Sequence, residues 1–161
     1  ITTQDGTPVC AMALANGQYM FSCDPTGKYN LSVPLDENGQ ITLFAFADGF
    51  APLKYIFTPE GTSEDIDIMM LPAPPDSPQM TLTCQFDTAE NPGWTKISGQ
   101  ALAEDGGTPL CAMVLANGQH MFSNAGNGGE YELEVPLDEN GQITLFGFAD
   151  GFQPFKEVLN R

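Results

Sequence analysis

The chain has 161 residues, 21 of them acidic against 5 Lys plus Arg, for a formal net charge of −16. Phosphate-rich partners are held through clustered Lys and Arg, so nucleic acid and anionic membrane surfaces are excluded as default partners, and no apolar run reaches the roughly 18 residues that span a bilayer. Hydrophobic residues make up 42% of the chain and aromatics 10%, enough to fill real cores, which assigns the acidity to a folded surface.

The chain opens Ile1-Thr2-Thr3-Gln4 without a charged-then-apolar leader, as expected once any signal peptide is gone. A repeat follows. Thr7 to Met12, Leu14 to Gln18 and Met20 to Ser22 recur as Thr108 to Met113, Leu115 to Gln119 and Met121 to Ser123, with Leu110 in place of Val9. Val33 to Phe50 then matches Val135 to Phe152, except that Ala45 becomes Gly147. These are two copies of one module.

In the first copy, Asn16-Gly17 between alternating runs predicts a two-residue type I′ hairpin. That turn pairs Ala15 with Gln18, Leu14 with Tyr19, Met12 with Phe21 and Cys10 with Cys23. The last is a non-hydrogen-bonded pair with Cα atoms about 4.5 Å apart, within reach of a disulfide. Tyr29, Leu31 and Val33 alternate with Asn30 and Ser32, a strand with one face in the core, ended by Pro34. Asp36-Glu37-Asn38-Gly39 supplies a turn before the apolar run Ile41 to Ala47, and Ile66 to Leu71 reads as an alternating closing strand. Leu71 to Pro78 has the proline content of a stiff linker, setting a boundary near residue 75 and domains at 1–75 and 76–161.

The second copy carries a leader, Met80 to Phe86 and Trp94 to Ala101, without a counterpart in the first, where Ile1 aligns with Leu102. The first copy thus reads as lacking its opening strand. The second copy's hairpin at Asn117-Gly118 puts Cys111 opposite Asn124, so Cys111 is expected to pair with Cys84 of the leader. Tyr131, Leu133 and Val135 alternate with three glutamates, and Asp138-Glu139-Asn140-Gly141 repeats the turn. The copy reaches Arg161 before any counterpart of Ile66 to Leu71, and reads as lacking its closing strand; either the sequence is an excerpt from a longer tandem array or neighbouring chains supply the missing strands. No segment has a helical period, and the expected fold is all-β, two tandem antiparallel β-sandwich domains of Ig-like type.

Gly99-Gln100-Ala101, Asp105-Gly106-Gly107-Thr108-Pro109, Gly129-Glu130-Tyr131-Glu132-Leu133-Glu134-Val135-Pro136, Ile143-Thr144-Leu145 and Ala149-Asp150-Gly151-Phe152-Gln153-Pro154 follow one another in a familiar order. This order resembles the carboxypeptidase regulatory-like family, a transthyretin-like seven-stranded sandwich. The first copy matches through Gly27-Lys28-Tyr29 and Ala47-Asp48-Gly49-Phe50-Ala51-Pro52. The resemblance implies fold, with spacer, adhesive or binding roles, and it brings no catalytic residue.

The chemistry expected from the remaining residues is sparse. The one histidine, His120, takes the place of Tyr19 on the apolar side of a hairpin, the setting of a packed residue and not of a catalytic base. Asp36-Glu37-Asn38, Asp138-Glu139-Asn140 and Glu64-Asp65-Asp67 offer oxygen ligands for calcium but lack EF-hand spacing. Met12, Met20, Met113 and Met121 with His120 resemble soft copper ligands, yet in strands Met12 and Met20 point to opposite faces, which is core filling. Asn30-Leu31-Ser32 is a glycosylation sequon.

No catalytic, cofactor or metal residues are therefore expected, and the site residues are the disulfide cysteines Cys10, Cys23, Cys84 and Cys111. The expected function is that of a secreted, non-enzymatic structural protein of an extracellular filament, surface array or adhesive stalk. Its partner is another copy, joined head to tail by strand complementation. The alternative is a carbohydrate- or calcium-binding accessory module of a larger secreted enzyme.

Overall fold

The computed structural model describes residues 1–104 and 107–161; Asp105 and Gly106 of the expected Asp105 to Pro109 turn lie outside the described residues. The chain divides into two units, Ile1–Pro72 and Ala73–Arg161. The division falls at the start of the proline-rich stretch, slightly ahead of residue 75.

In unit 1 the Asn-Gly turn sets the frame. Asn16 and Gly17 hold φ of 41° and 85°, the left-handed pair of a type I′ turn. Strand β1 (Met12–Ala15) then pairs antiparallel with β2 (Gln18–Phe21) in the register read from the sequence, Met12 opposite Phe21 and Ala15 opposite Gln18. With β3 (Ile41–Phe46) and β4 (Leu53–Phe57) they form a sheet ordered β2-β1-β3-β4. Alternation sends Ala13, Ala15, Leu43 and Ala45 into the core, where Ile68 and Met70 also lie. The opposite face holds Phe44 stacked on Phe46 at 5.9 Å, with the Lys54 ammonium 5.6 Å from the Phe44 ring.

The second layer of unit 1 differs from the expectation. Tyr29 to Val33 forms no strand, and Ile66 to Leu71 has one isolated bridge, Met69 parallel to Thr2.

Unit 2 has the complete second layer. Here β7 (Trp94–Ala103) is flanked by β10 (Glu130–Pro136) on one edge. Its other edge takes β5 (Met80–Leu82) and β6 (Gln85–Thr88) in succession. The facing sheet runs β12-β11-β8-β9, from β8 (Met113–Ala116), β9 (Gln119–Phe122), β11 (Gln142–Phe148) and β12 (Phe155–Asn160). Between them lie Ile97, Val114, Tyr131, Val135, Ile143 and Leu145. The helical content of the described residues is one 3₁₀ turn, Ala125–Asn127, capped by the Asn124 side chain. The fold is all-β and antiparallel in its sheets, as expected.

The turn asparagines also tie the layers together. Asn117 Nδ2 donates to Pro136 O at 2.8 Å and Gln142 O at 2.9 Å, and Oδ1 accepts from Thr144 N at 3.0 Å. Asn16 makes the matching bonds to Pro34 O, Gln40 O and Thr42 N. Each hairpin tip is thereby fastened to the end of the second-layer segment and to the start of the long strand. Replacing Asn117 with Ala removes three hydrogen bonds at about 1 kcal/mol each and leaves a β-carbon at positive φ. A loss of about 2–4 kcal/mol is expected in the denaturant unfolding of unit 2; an unchanged midpoint would remove this role.

Candidate functional site

Cys10 and Cys23 form a disulfide across the first hairpin, their Cα atoms 4.0 Å apart. The segment before β1 is already held in register there. The buried Ser22 hydroxyl donates to Val9 O at 2.8 Å and accepts from Ala11 N at 3.2 Å. Ser123 repeats the arrangement with Leu110 O at 2.6 Å and Ala112 N at 2.9 Å. Such a disulfide persists where glutathione does not reduce it, which points to a non-cytoplasmic environment. No described helix is long and apolar enough to cross a membrane.

The expected Cys84–Cys111 bond is not formed, and both residues are free thiols. Strand alternation explains the outcome. Cys84 sits at the break between β5 and β6, half-buried against the core. Cys111 precedes the buried Ala112 and faces solvent. Burial pushes the Cys84 thiol pKa up.

His120 lies opposite Leu115 in the β8–β9 hairpin, and burial pushes its imidazole below the ordinary value. Three of the acids considered for calcium, Asp36, Asp138 and Glu64, serve their own turns. Asp36 Oδ1 accepts from Asn38 N and Gln40 N, both at 2.8 Å, and Asp138 does the same for Asn140 and Gln142. Glu64 accepts from Glu60 N and Gly61 N. Of the four methionines, Met20 and Met121 have a function that core filling did not foresee: their sulfurs receive Asn30 N–H at 3.3 Å and Glu132 N–H at 3.1 Å.

Those two contacts orient the second-layer segments. Because Glu132 N–H points to Met121, alternation directs the backbone groups of Tyr131, Leu133 and Val135 to the opposite edge, where β7 lies. They face Gly99, Ile97 and Thr95 there, and Lys96 pairs with Glu132 at 2.7 Å. In unit 1 the corresponding groups of Tyr29, Leu31 and Val33 face an edge along which no described strand runs. Tyr131 and Val135 are 3% and 0% exposed, whereas Tyr29 and Val33 are only partly buried.

The start of unit 1 corrects the alignment by one residue. Ile1 N donates to Gly27 O and Val9 N to Ile1 O, as Ala101 N does to Gly129 O and Leu110 N to Ala101 O. Ile1 therefore occupies the place of Ala101, not of Leu102. The turn that follows is one residue shorter in the first copy, a shift that the flat 101-residue offset of Thr7 and Thr108 hides.

A second correspondence was invisible in the sequence. Beside Thr2 in unit 1 lie Ile68, Met69 and Met70; beside Leu102 in unit 2 lie Leu82, Thr81 and Met80, running in the opposite direction. Ile68 and Met70 are buried, as are Leu82 and Met80. Tyr29 Oη donates to Ile66 O at 2.8 Å, and Tyr131 Oη to Thr83 O at 2.7 Å. Ala51 N donates to Leu71 O, and Gln153 N to Pro78 O. One slot over the core is thus filled by the closing segment in unit 1 and by the leader in unit 2, with opposite polarity. Unit 2, expected to be open for want of a closing strand, is covered there by β5.

No family model, curated protein or solved structure matches this chain.

The free thiols differ in reactivity on this geometry. Iodoacetamide at pH 8 is expected to label Cys111 quickly and Cys84 at least about tenfold more slowly, because thiolate and access are both scarce at Cys84; equal rates would contradict its burial. His120 gives a pH signature. Its lowered pKa means that the folded state holds the neutral imidazole, so its contribution is whole above the ordinary value of 6.5 and declines as pH falls through it. His120→Tyr is expected to flatten the stability profile of unit 2 between pH 7 and about 5, and an unaltered slope would remove the imidazole from the account.

Proposed function

We propose that the protein is a non-enzymatic structural module of carboxypeptidase regulatory-like type, working outside the cell as a segment of a filament, surface array or adhesive stalk. The observation that carries this reading is the tandem repetition of one sandwich platform, with hairpins tied in the same way by Asn16 and Asn117, and the first copy has no described strand beside partly buried Tyr29, Leu31 and Val33. A row of backbone donors and acceptors next to apolar side chains accepts an added strand, from a neighbouring repeat or another copy. A joint between two different surfaces does not close on itself, so it extends head to tail. The disulfide and the strong net negative charge suit an extracellular, soluble surface.

An accessory-binding reading rests on a cleft of about 320 Å³ in unit 1, between β4 and residues 65–68, where Tyr55, Lys54, Asp65 and Asp67 supply an aromatic ring and polar groups. Its cross-strand surroundings are not repeated in unit 2, where Glu157 follows Lys156 as Tyr55 follows Lys54. The tandem repetition is the stronger basis, since it recurs in both units while the surroundings of the cleft do not.

Assembly is the test. At millimolar concentration the chain is expected to form oligomers that persist at about 1 M salt, because apolar burial and backbone pairing are little screened. Leu31→Pro removes a donor from the edge and is expected to shift the mass towards monomer in light scattering. A parent chain that stays monomeric at every concentration would end this reading.

A further inference from the structure

Each unit carries a second apolar surface, on the side of its β-hairpin sheet that faces away from the core. Ala13, Ala15, Leu43 and Ala45 point into the core, so their strand neighbours point outward, and those neighbours are apolar as well. The strands read Met-Ala-Leu-Ala and Ile-Thr-Leu-Phe-Ala-Phe in unit 1, and Met-Val-Leu-Ala and Ile-Thr-Leu-Phe-Gly-Phe in unit 2. Near-continuous apolar runs belong to strands covered on both faces, whereas an antiparallel sheet with one wet face alternates.

Register arranges this surface in rows, since directly paired residues share a face. One row runs Phe21, Met12, Phe46 and the next Tyr19, Leu14, Phe44, Lys54. Met12, Leu14 and Phe46 are 1%, 5% and 4% exposed and form a floor, while Tyr19, Phe21 and Ile56 stand exposed around it. Unit 2 repeats the rows as Phe122, Met113, Phe148 and His120, Leu115, Phe146, Lys156, with Val158 in the place of Ile56. Only the Tyr19 and Ile56 positions differ.

The occupant follows from charge, ring packing and area. No carboxylate stands in these rows, although the chain has 21 acidic residues. Copies of a chain with net charge −16 repel one another, and the repulsion is least across a surface free of carboxylates. The Phe44 ring is engaged by Phe46 and by the Lys54 ammonium, and the Phe146 ring by Phe148 and Lys156, which suits packing against side chains better than stacking under a sugar. Four strands about 4.8 Å apart and about five residues long give roughly 300 Å² per face, so one pair of faces buries about 600 Å² and the pairs of both units about 1,200 Å², the lower end of the stable class.

We propose, resting on the reading of the chain as a repeated structural module, that this outward face is an interface between copies of the chain, like unit on like unit, with sheet packed on sheet at about 10 Å. The lysine selects the orientation. A two-fold axis along the strands sets the β4 edge of one copy over the β2 edge of the other and brings the Lys54 ammonium to Tyr19 of the other copy; an axis across the strands would oppose Lys54 to itself. The contact is isologous, so it joins chains side by side and is separate from strand addition.

The full chain, sedimented from about 10 μM to about 1 mM, is expected to gain mass with concentration, and more so at about 1 M salt, which screens the charge and leaves apolar burial in place. Tyr19→Glu with Ile56→Glu, and His120→Glu with Val158→Glu, are expected to weaken association at least about tenfold. Met69→Glu, at an exposed position of the other layer, is expected to leave it unchanged. Unfolding midpoints report whether the variants fold, and the milder Tyr19→Ser with Ile56→Ser is expected to act in the same direction should the glutamates unfold the unit. Folded face variants that associate as the parent does would overturn the proposal. So would a parent that stays monomeric and is retained on insoluble cellulose through Tyr19, which would give the face to a sugar surface. If Leu31→Pro lowers the mass and the face variants do not, the module reading stands and this face is wrong; if only the face variants lower it, this face stands and strand addition falls. A chain that is monomeric at every concentration removes both.

Discussion

The backbone of the second layer must find hydrogen-bond partners, and this requirement governs how the two copies diverge. A buried or half-buried peptide group left without a partner costs on the order of 1–3 kcal/mol, so a segment with strand-like alternation becomes a strand only where a neighbour offers a ladder. Glu130 to Pro136 has β7 and is a strand; residues 28–34 have nearly the same apolar positions, no described ladder partner, and no strand assignment. The side chains follow the backbone. Among the described residues no counterpart of Ile97 covers the core of unit 1 from that side, and Tyr29 and Val33 are less buried than Tyr131 and Val135.

The first layer is buffered against this difference. Asn16 and Asn117 make identical three-bond connections, and Ser22 and Ser123 identical two-bond ones, so each hairpin and long strand keep their geometry whatever the other layer does. Their buried polar atoms are satisfied locally, which makes the first layer a rigid platform. The slot over the core is more permissive. It asks for two apolar side chains at alternate positions and one carbonyl for the tyrosine hydroxyl, and an extended segment of either polarity meets those terms: Ile68 and Met70 with Ile66 O, or Leu82 and Met80 with Thr83 O. Shape and alternation select the occupant there; strand direction does not.

Much of this was legible in the residues and some was not. Asn-Gly pairs report local backbone preference, so the hairpins, their register and the Cys10–Cys23 contact followed from spacing alone. Apolar alternation reported which side chains face the core, and it did so correctly for residues 29–33 and 66–70, but it carries no information on whether a ladder partner exists. That is why strands were expected in both places, whereas residues 29–33 form none and 66–70 forms one isolated bridge, at Met69. The Cys84–Cys111 pairing failed for a related reason: elimination showed that each lacked another partner, while the direction of each side chain depends on the β5–β6 break and on the phase before β8. The roles of Ser22, Asn16 and Met20 left no signal beyond their recurrence in the second copy, which pointed to them without saying what they hold.

Native-state hydrogen exchange measures the ladder requirement most directly, because the two copies are each other's control in one sample. At a concentration where the 161-residue chain is monomeric, the amides of Tyr131, Leu133 and Val135 are predicted to exchange only through opening of unit 2, with protection at least about a thousandfold above those of Tyr29, Leu31 and Val33, beside which no described strand runs. Comparable protection at the two sets of amides would mean that residues 28–34 already have a partner, and would contradict the account.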